Sequence, residues 1–342
     1  MSLEKTPFFT TGNHDVGTYH PKDDLLHREF AGVVEGDALT ETQYFGISLP
    51  EHNIVGMYYC WWHPNLNIVS GGIEVQQGVK ANMLQSELVD WHFFLHDRIL
   101  DNDLHDYSMI PGLRARVIEP GKHFRVEYHD DSRDNHVDIE YRATMDPFMF
   151  ASGRHFEQTM KTRGELVLRG RRYEVDSYSV RDRSWGQLRP ADPLRLPPTS
   201  WMTAVFSDDF SFCCSALDPD LGGQGWPAKS AEQAFVGGYL QRDGVVRPIV
   251  ACRKEMERDP VGMVPSTLHL VLTDSDGRTV EASARIIAGT SHQLWGNARV
   301  HPMLAQWSCG AATGYGDVQD LQWTDFLYET AAARAAATNM ID

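Results

Sequence analysis

The sequence has no long hydrophobic run and no recognisable leader. Its longest apolar candidate, Ile54–Trp62, has the length of a strand and is much shorter than the ~20 residues of a membrane-spanning helix. The first residues, MSLEKTPFFTTGNHD, lack the basic region and apolar core of a secretory signal peptide. We therefore expect a cytoplasmic protein that does not insert into a membrane.

Cysteines are few and do not form a pattern. The chain has five, an odd number, spread from Cys60 to Cys309 without the spacing of a disulfide framework. Cys213 and Cys214 are adjacent, and on a strand their side chains point to opposite faces, which disfavours a bridge between them. This usage favours a reducing compartment.

Basic residues are also in short supply. Against 47 Asp and Glu there are 31 Lys and Arg, which gives a formal net charge of -16. A phosphate backbone or an anionic lipid surface would repel such a chain, so we expect no nucleic-acid partner. The nine Trp and twelve Tyr instead suit a cavity for a hydrophobic small molecule. The sequence does not decide between a monomer and a homodimer.

No residue pattern typical of metal or cofactor binding stands out. His92 and His96 share one face of a predicted strand but lie roughly 13 Å apart, too far for one ion. The glycines of Gly314-Tyr315-Gly316 and Gly222-Gly223 lack the strand-to-helix context of a phosphate loop, and no Gly-x-Ser-x-Gly elbow occurs. We expect neither a metal nor an organic cofactor.

Short alternating runs separated by turn residues fill most of the chain from Thr42 onward, a pattern typical of antiparallel sheets and barrels. Hairpins are predicted at turns rich in glycine or acidic residues: Pro120-Gly121, Gly170-Arg171, Asp208-Asp209, Asp243-Gly244 and Asp276-Gly277. The Ala-rich tail from about Asp320 predicts a C-terminal helix, and HREFAGVVEG predicts a short helix near the N-terminus.

The 342 residues are enough for two domains of ordinary size. The run Gln187–Pro198 has four prolines in twelve residues and cannot be a ladder strand. We place the inter-domain connection there. The predicted all-β fold is then two antiparallel barrels or sandwiches in tandem, residues 1–190 and 199–342, with the helix at the end of the second.

The segment His155–Gly186 is the strongest candidate for a functional site. Its second strand ends in RDRSWG, where alternation along a strand puts Asp182 on one face and both Arg181 and Arg183 on the other. Trp185 shares the face of the arginines, an arrangement suited to stacking and carboxylate pairing.

The first strand of this hairpin contributes two further candidates. In the run HFEQ, alternation places His155 and Glu157 on one face. If the two strands pair as predicted, titratable groups from both converge on one cavity.

HFEQ, the glycine-turn hairpin and RDRSWG together resemble the lipocalin-like superfamily of AttH proteins and carotenoid 1,2-hydratases (hydroxyneurosporene synthases), which also includes kievitone-hydratase-like enzymes and lipocalin-type cyclases. The resemblance implies two lipocalin-like barrels and acid-assisted, cofactor-independent addition of water to a carbon–carbon double bond of an apolar substrate. One position departs from the hydratases, where a Tyr is expected two residues before the motif Asp and this chain has Val180. Tyr178, on the same predicted face, is the candidate substitute.

Asp182 is the predicted general acid. Protonation of an alkene needs an acid that is neutral near pH 7, which requires a carboxyl pKa raised by a dry, apolar site. If the strand bends instead, Arg181 or Arg183 would keep Asp182 ionised in a structural ion pair.

His155 and Glu157 are predicted to act as a general-base pair or as a relay to the attacking water. The alternative is a solvated strand face, or a core histidine bonded to a backbone carbonyl. Tyr178 would donate a hydrogen bond to Asp182 or to the substrate, or would be an ordinary half-buried sheet residue.

Four residues are predicted to contact the substrate: Arg181, Arg183, Trp185 and Trp201. The two indoles are chosen because one lies in the motif and the other follows the connection, and their ring faces would stabilise a developing cation.

Three functions remain open at this point. The first is a lyase, namely a hydratase, dehydratase or cyclase of a prenyl- or terpenoid-type compound. The second is a non-catalytic carrier of a hydrophobic small molecule in a lipocalin-type cavity. The third is an isomerase or retro-aldol enzyme that applies the same acid and base to a carbonyl compound.

Overall fold

The computed structural model describes residues 16–32, 39–100, 103–189, 196–218 and 230–339. In these ranges the chain forms twenty strands, two α-helices and five short 3-10 helices. The strands of the first sheet are β1 (Leu39–Leu49), β2 (Ile54–His63), β3 (Ile68–Gln77), β4 (Leu88–His96), β5 (Asp106–Ile110), β6 (Leu113–Glu119), β7 (His123–Asp130), β8 (Asn135–Ala143), β9 (Phe148–Met149), β10 (His155–Leu168) and β11 (Arg171–Leu188).

The strands of the second sheet are β12 (Thr199–Ser207), β13 (Phe210–Leu217), β14 (Phe235–Arg242), β15 (Val245–Arg258), β16 (Pro265–Asp274), β17 (Thr279–Gly289), β18 (His292–Trp295), β19 (Ala298–Cys309) and β20 (Ala312–Trp323). The α-helices are α1 (Ala231–Ala234) and α2 (Thr324–Asn339), and the 3-10 helices are Pro21–Asp24, Arg28–Phe30, Pro50–His52, Met83–Gln85 and Asp97–Leu100.

Both sheets are antiparallel and curl around their own cores. The first has the order β4-β3-β2-β1-β11-β10-β8-β7-β6-β5, with β9 on β10, and the second has the order β17-β16-β15-β14-β13-β12-β20-β19-β18, closed by pairing of β17 with β19. Phe45, Tyr58 and Phe124 lie in the first core, and Phe212 and Trp307 in the second. The predicted all-β fold of two tandem barrels with a C-terminal helix is confirmed.

Burial along the strands shows where the two barrels meet. In β7 the burial alternates, with Phe124, Val126 and Tyr128 buried and the residues between them partly exposed or exposed, as expected for a strand with one face in water. In β1 all eleven residues are buried, polar ones included. One face of β1 therefore lines the first core, and the other is covered by the second sheet.

Three apolar clusters join the outer faces of the two sheets. They comprise Tyr44, Met57, Tyr59 and Val180 with Leu294, Val300 and Leu321; Met145, Phe148 and Phe150 with Cys213 and Tyr239; and Val55 with Ala288 and Leu304. Backbone bonds add to this contact, because the N–H of Lys80 donates to the carbonyl of Gly289 at 2.8 Å and that of Met83 to the carbonyl of Ser291 at 3.2 Å. Residues on these outer faces are thus shielded by two layers of sheet.

The predicted hairpins are confirmed, since β6–β7, β10–β11, β12–β13, β14–β15 and β16–β17 all pair around the expected turns. The C-terminal helix begins at Thr324 and not at Asp320, because β20 stays paired with β19 as far as Trp323. Near the N-terminus the predicted helix is reduced to a 3-10 turn at Arg28–Phe30, and residues 33–38 lie outside the described residues.

The predicted connection separates the two sheets. Strand β11 continues to Leu188 and β12 begins at Thr199, while residues 190–195 of the connection lie outside the described residues, as do Gly222 and Gly223. The division into domains of residues 1–190 and 199–342 stays a prediction.

Candidate active site between the two sheets

The register of three adjacent strands sets the geometry of the site. Asp182 on β11 pairs with Glu157 on β10 and with Tyr44 on β1. Directly paired residues in antiparallel strands project to the same face of the sheet. Glu157, Asp182 and Tyr44 therefore form a row, and the row faces the second sheet.

Asp182 carries an uncompensated carboxyl group. The residue is half-buried, and no group among the described residues forms a hydrogen bond with its carboxyl oxygens. Burial raises the pKa of Asp182 to about 7, against smaller opposing effects of Arg189, Arg183 and Arg181. At neutral pH a substantial fraction of this carboxyl is protonated.

Glu157 is more deeply enclosed, with 1% of its surface exposed. Neither of its oxygens accepts a hydrogen bond from the described residues. Burial, followed by the negative charge of Asp182, raises the pKa of Glu157 well above the usual range. The nearby indole of Trp201 opposes this rise in the pKa, although its N–H has no hydrogen-bond partner among the described residues. Two adjacent carboxyls in such a site retain a proton between them.

His155 adjoins this pair on β10. Its Nε2 lies 3.5 Å from Oε1 of Glu157, and its ring makes an edge contact with Trp201 at a centroid distance of 4.7 Å. Burial, with a further contribution from Arg189, lowers the pKa of His155 to about 3, so the imidazole is neutral at pH 7. The structure thus brings together Asp182, His155, Glu157 and Trp201 of the predicted site.

Arg181 and Arg183 lie on the face of β11 opposite to Asp182, and their role in substrate binding stays a prediction. Arg181 Nη1 lies 2.5 Å from Oδ1 of Asp24, while Arg183 is ion-paired with Glu41. The Arg181 guanidinium also covers the ring of Phe124 at 3.9 Å. The two arginines are fully buried in contacts with the protein itself, and alternation does turn them away from Asp182.

Trp185 and Tyr178 also lie away from the row. Trp185 stacks on His27 at a centroid distance of 4.2 Å, on the side of the arginines. The hydroxyl of Tyr178 donates to Oδ1 of Asp208 at 2.8 Å, so the predicted hydrogen bond to Asp182 is not formed. Tyr44, on a strand distant in sequence, occupies the place beside Asp182 instead.

Sequence reasoning missed the residues that the fold adds to this site. Arg189 approaches from the end of β11, where Nη2 donates to Ser184 Oγ at 3.2 Å and the guanidinium covers the ring of Trp295 at 4.7 Å. From the second sheet, Tyr239 makes a 2.7 Å hydrogen bond with Thr159. In the sequence, the proline-rich context of Arg189 gives no signal for such a role. Tyr239 resembles any other aromatic residue of a predicted strand.

Fold and site together define a two-barrel β protein with a row of acidic side chains at the contact between its barrels. The chain belongs to the family described as a domain of unknown function, DUF7064, whose model matches residues 21–326.

Comparison with solved structures gives one that shows the same fold. Kievitone hydratase from Nectria haematococca is similar with a TM-score of 0.52 and 11% identity, over 92% of this chain and 96% of that chain. A protein provisionally assigned as AttH from Nitrosomonas europaea is similar with a TM-score of 0.49 and 9% identity, over 86% of this chain and 95% of that one. No curated protein sequence matches the chain. The likeness to kievitone hydratase therefore confirms the fold that the resemblance predicted.

Two further findings concern the described residues alone. None of their helices combines the length and the hydrophobicity that a membrane crossing requires. Nor do His, Cys, Asp and Glu side chains gather there in a group of three or more that could hold a metal ion.

Proposed function

We propose that this chain is an acid–base enzyme that works without a cofactor, a hydratase, dehydratase or cyclase of an apolar unsaturated small molecule of prenyl or terpenoid type. The observation that carries the proposal is the Asp182–Glu157 pair, two neighbouring carboxyls with no hydrogen-bonded cation among the described residues. Placing such a pair in a buried site destabilises the fold, and perturbed carboxyls of this kind concentrate where proton transfer is needed.

The geometry supports a specific sequence of proton transfers. The Asp182 carboxylic acid gives its proton to one alkene carbon, the π electrons form the new C–H bond, and the other carbon becomes a cation. Water attacks that carbon and loses a proton to neutral His155 or to the carboxylate of the pair, from which Asp182 is protonated again. In a cyclisation, a second double bond takes the place of water.

The aromatic side chains next to the pair suit a cationic intermediate. Trp201 and Phe150 contact His155 at centroid distances of 4.7 and 4.9 Å, and ring faces stabilise positive charge that has been withdrawn from water. A carrier of apolar ligands has no need for unpaired acids in the same place. The fold that the chain shares with kievitone hydratase agrees with this class of reaction.

The test uses a panel of prenylated phenols and terpenols in heavy-oxygen water, with mass spectrometry to detect uptake of the heavy atom. We expect turnover by the unchanged chain and a loss of about 10²–10⁴-fold in kcat for Asp182→Asn, with ligand binding retained. Asp176→Asn, in an exposed stretch of the same strand, is the control. If the unchanged chain and Asp182→Asn bind the ligand equally well and neither turns it over, the protein is a carrier instead.

A further inference from the structure

A third buried carboxyl, Asp317 of β20, reaches the row from the second sheet. The hydroxyl of Tyr44 donates a hydrogen bond to Oδ2 of Asp317 at 2.8 Å, and the two residues are 3% and 5% exposed. The backbone N–H of Asp317 donates to Oγ1 of Thr203 at 2.8 Å, which anchors this part of β20 to β12. Asp317 is therefore held from both sheets.

Gly46 gives the Asp317 carboxyl the room to reach Tyr44. A Cβ built at Gly46 would lie 2.4 Å from Oδ2 of Asp317, much closer than two unbonded atoms approach. The same Cβ would lie 2.5 Å from Oγ of Ser179, so glycine leaves room here for a hydroxyl of the first sheet and for a carboxyl from the second. The first sheet thus lacks a side chain where the second inserts an acid.

This hydrogen bond adjoins the carboxyl pair. Tyr44 is the cross-strand neighbour of Asp182, and Oδ1 of Asp317 is buried without a hydrogen-bond partner among the described residues. Burial raises the pKa of Asp317 to about 7, which the Tyr44 hydrogen bond opposes. Negative charge on Asp317 in turn contributes to the raised pKa of Glu157.

We propose that Tyr44 and Asp317 complete the proton-handling group, so that three carboxyls from both sheets hold and exchange protons as one unit. Its chemical purpose rests on the proposed function. When Asp182 loses its proton to the substrate, the O–H bond of another carboxyl breaks as a new one forms on Asp182, and the proton released by water returns to the carboxylate left behind. Asp317 acts through the other two carboxyls and is a positioning residue.

Other ionisable side chains lie around the three carboxyls, and the substitutions used in the test leave them in place. From the first sheet they are Tyr59, Tyr141, His155, Arg181, Arg183 and Arg189, and from the second sheet Cys213 and Tyr239. Burial lowers the pKa of His155 to about 3 and raises the pKa of the tyrosines and of Cys213, so none of these groups changes charge between pH 5 and 9 and a titration in this range reports the carboxyls.

The experiment follows the infrared carbonyl band of protonated carboxyl groups from pH 5 to 9 in the full chain. Asp317→Asn is expected to remove one protonated carboxyl and to lower the midpoint of the remaining band by about 1 pH unit, because a neighbouring negative charge is lost. Tyr44→Phe keeps all three carboxyls and raises the midpoint of Asp317.

Asp208→Asn is a matched control, because Asp208 also accepts a 2.8 Å hydrogen bond from a tyrosine of the first sheet, Tyr178, but in an exposed place. It should leave the band unchanged. Loss of one independent band in Asp317→Asn, with the other midpoint unmoved, would overturn the proposal. If that variant does not fold, an unmoved midpoint in Tyr44→Phe has the same meaning.

The infrared titration requires no substrate, so it separates this inference from the proposed function. An absence of turnover with every compound of the panel would refute the enzyme and leave the coupled carboxyls standing. Where turnover is found, the pH at which kcat falls should move down by the same amount in Asp317→Asn as the band does.

Discussion

The two faces of β11 differ in whether the acidic side chains there have a basic partner. On the face that lines the first core, Arg181 is paired with Asp24 and Arg183 with Glu41, so each acid there has a guanidinium partner. On the other face, Asp182 and its neighbour Glu157 have none within hydrogen-bonding distance. Compensated charges hold the N-terminal segment on the barrel, whereas the proposed function assigns proton transfer to the uncompensated ones.

The second sheet supports this contrast. Arg258 lies between Asp218 and Asp320, and Lys254 lies 2.7 Å from Asp218. Burial alone would raise the pKa of Asp320, but Arg258 holds it far below the usual range. The same fold can thus neutralise a buried acid, and it does not do so for the row at the barrel contact.

The largest effect is expected on the compensated face. Arg181→Met should lower the free energy of unfolding by about 3–5 kcal/mol, because it leaves Asp24 buried without its partner. Urea denaturation measures this loss. Arg163→Met, an exposed arginine on the neighbouring strand β10, should change it by less than about 0.5 kcal/mol. Equal losses in both variants would show that the buried Arg181–Asp24 pair contributes no more to the free energy of unfolding than an exposed arginine does.

On the face of β11 that carries Asp182, we expect a smaller effect of opposite sign, namely a gain in stability. The pKa of Asp182 in the folded chain is about 7, above its ordinary 3.8, so the carboxyl destabilises the fold increasingly as pH rises from about 4 to about 7. Asp182→Asn should therefore gain about 1–2 kcal/mol at pH 8 and nothing near pH 4. Thermal unfolding at both pH values measures the difference.

Asp176→Asn on the same strand is the control for this sign. A hydrogen bond from Lys161 lowers the pKa of Asp176, so this carboxylate stabilises the fold above the ordinary Asp range and the stabilisation is lost as pH falls. Its replacement should give a slight loss at pH 8 and none at low pH. A gain for Asp182→Asn that is equal at both pH values would exclude a buried carboxyl as its cause.

Local geometry explains which parts of the site could be predicted from the sequence. Alternation along one strand is enough to separate Asp182 from Arg181 and Arg183, and a tight glycine turn is enough to bring Glu157 beside Asp182. These relations span a single hairpin. For the same reason the hairpins and the all-β fold were within reach of sequence patterns.

The remaining parts depend on contacts that no local pattern encodes. Tyr44 meets Asp182 because β1 pairs with β11, and Asp317 meets Tyr44 because two complete sheets pack together. The carboxylate partner of Arg181, Asp24, comes from the short 3-10 helix Pro21–Asp24 near the N-terminus. Tyr178 is predicted to replace the tyrosine expected at Val180 because it shares the face of Asp182. It lies two positions further along the extended strand, however, and its hydroxyl bonds to Asp208 instead.

The smallest effect is expected for Tyr178→Phe, which compares two tyrosines. Tyr44 and Tyr178 each donate a 2.8 Å hydrogen bond to an aspartate of the second sheet, but the bond of Tyr178 to Asp208 is exposed. An exposed hydrogen bond adds little to stability, because water replaces either partner when it is removed. Tyr178→Phe should therefore change the free energy of unfolding by less than about 0.5 kcal/mol and leave turnover unchanged. The same thermal and turnover measurements apply. Because donor, acceptor and distance are alike, any larger change in Tyr44→Phe comes from its buried place beside Asp182. A loss of turnover in Tyr178→Phe would instead restore the role predicted for it from the sequence.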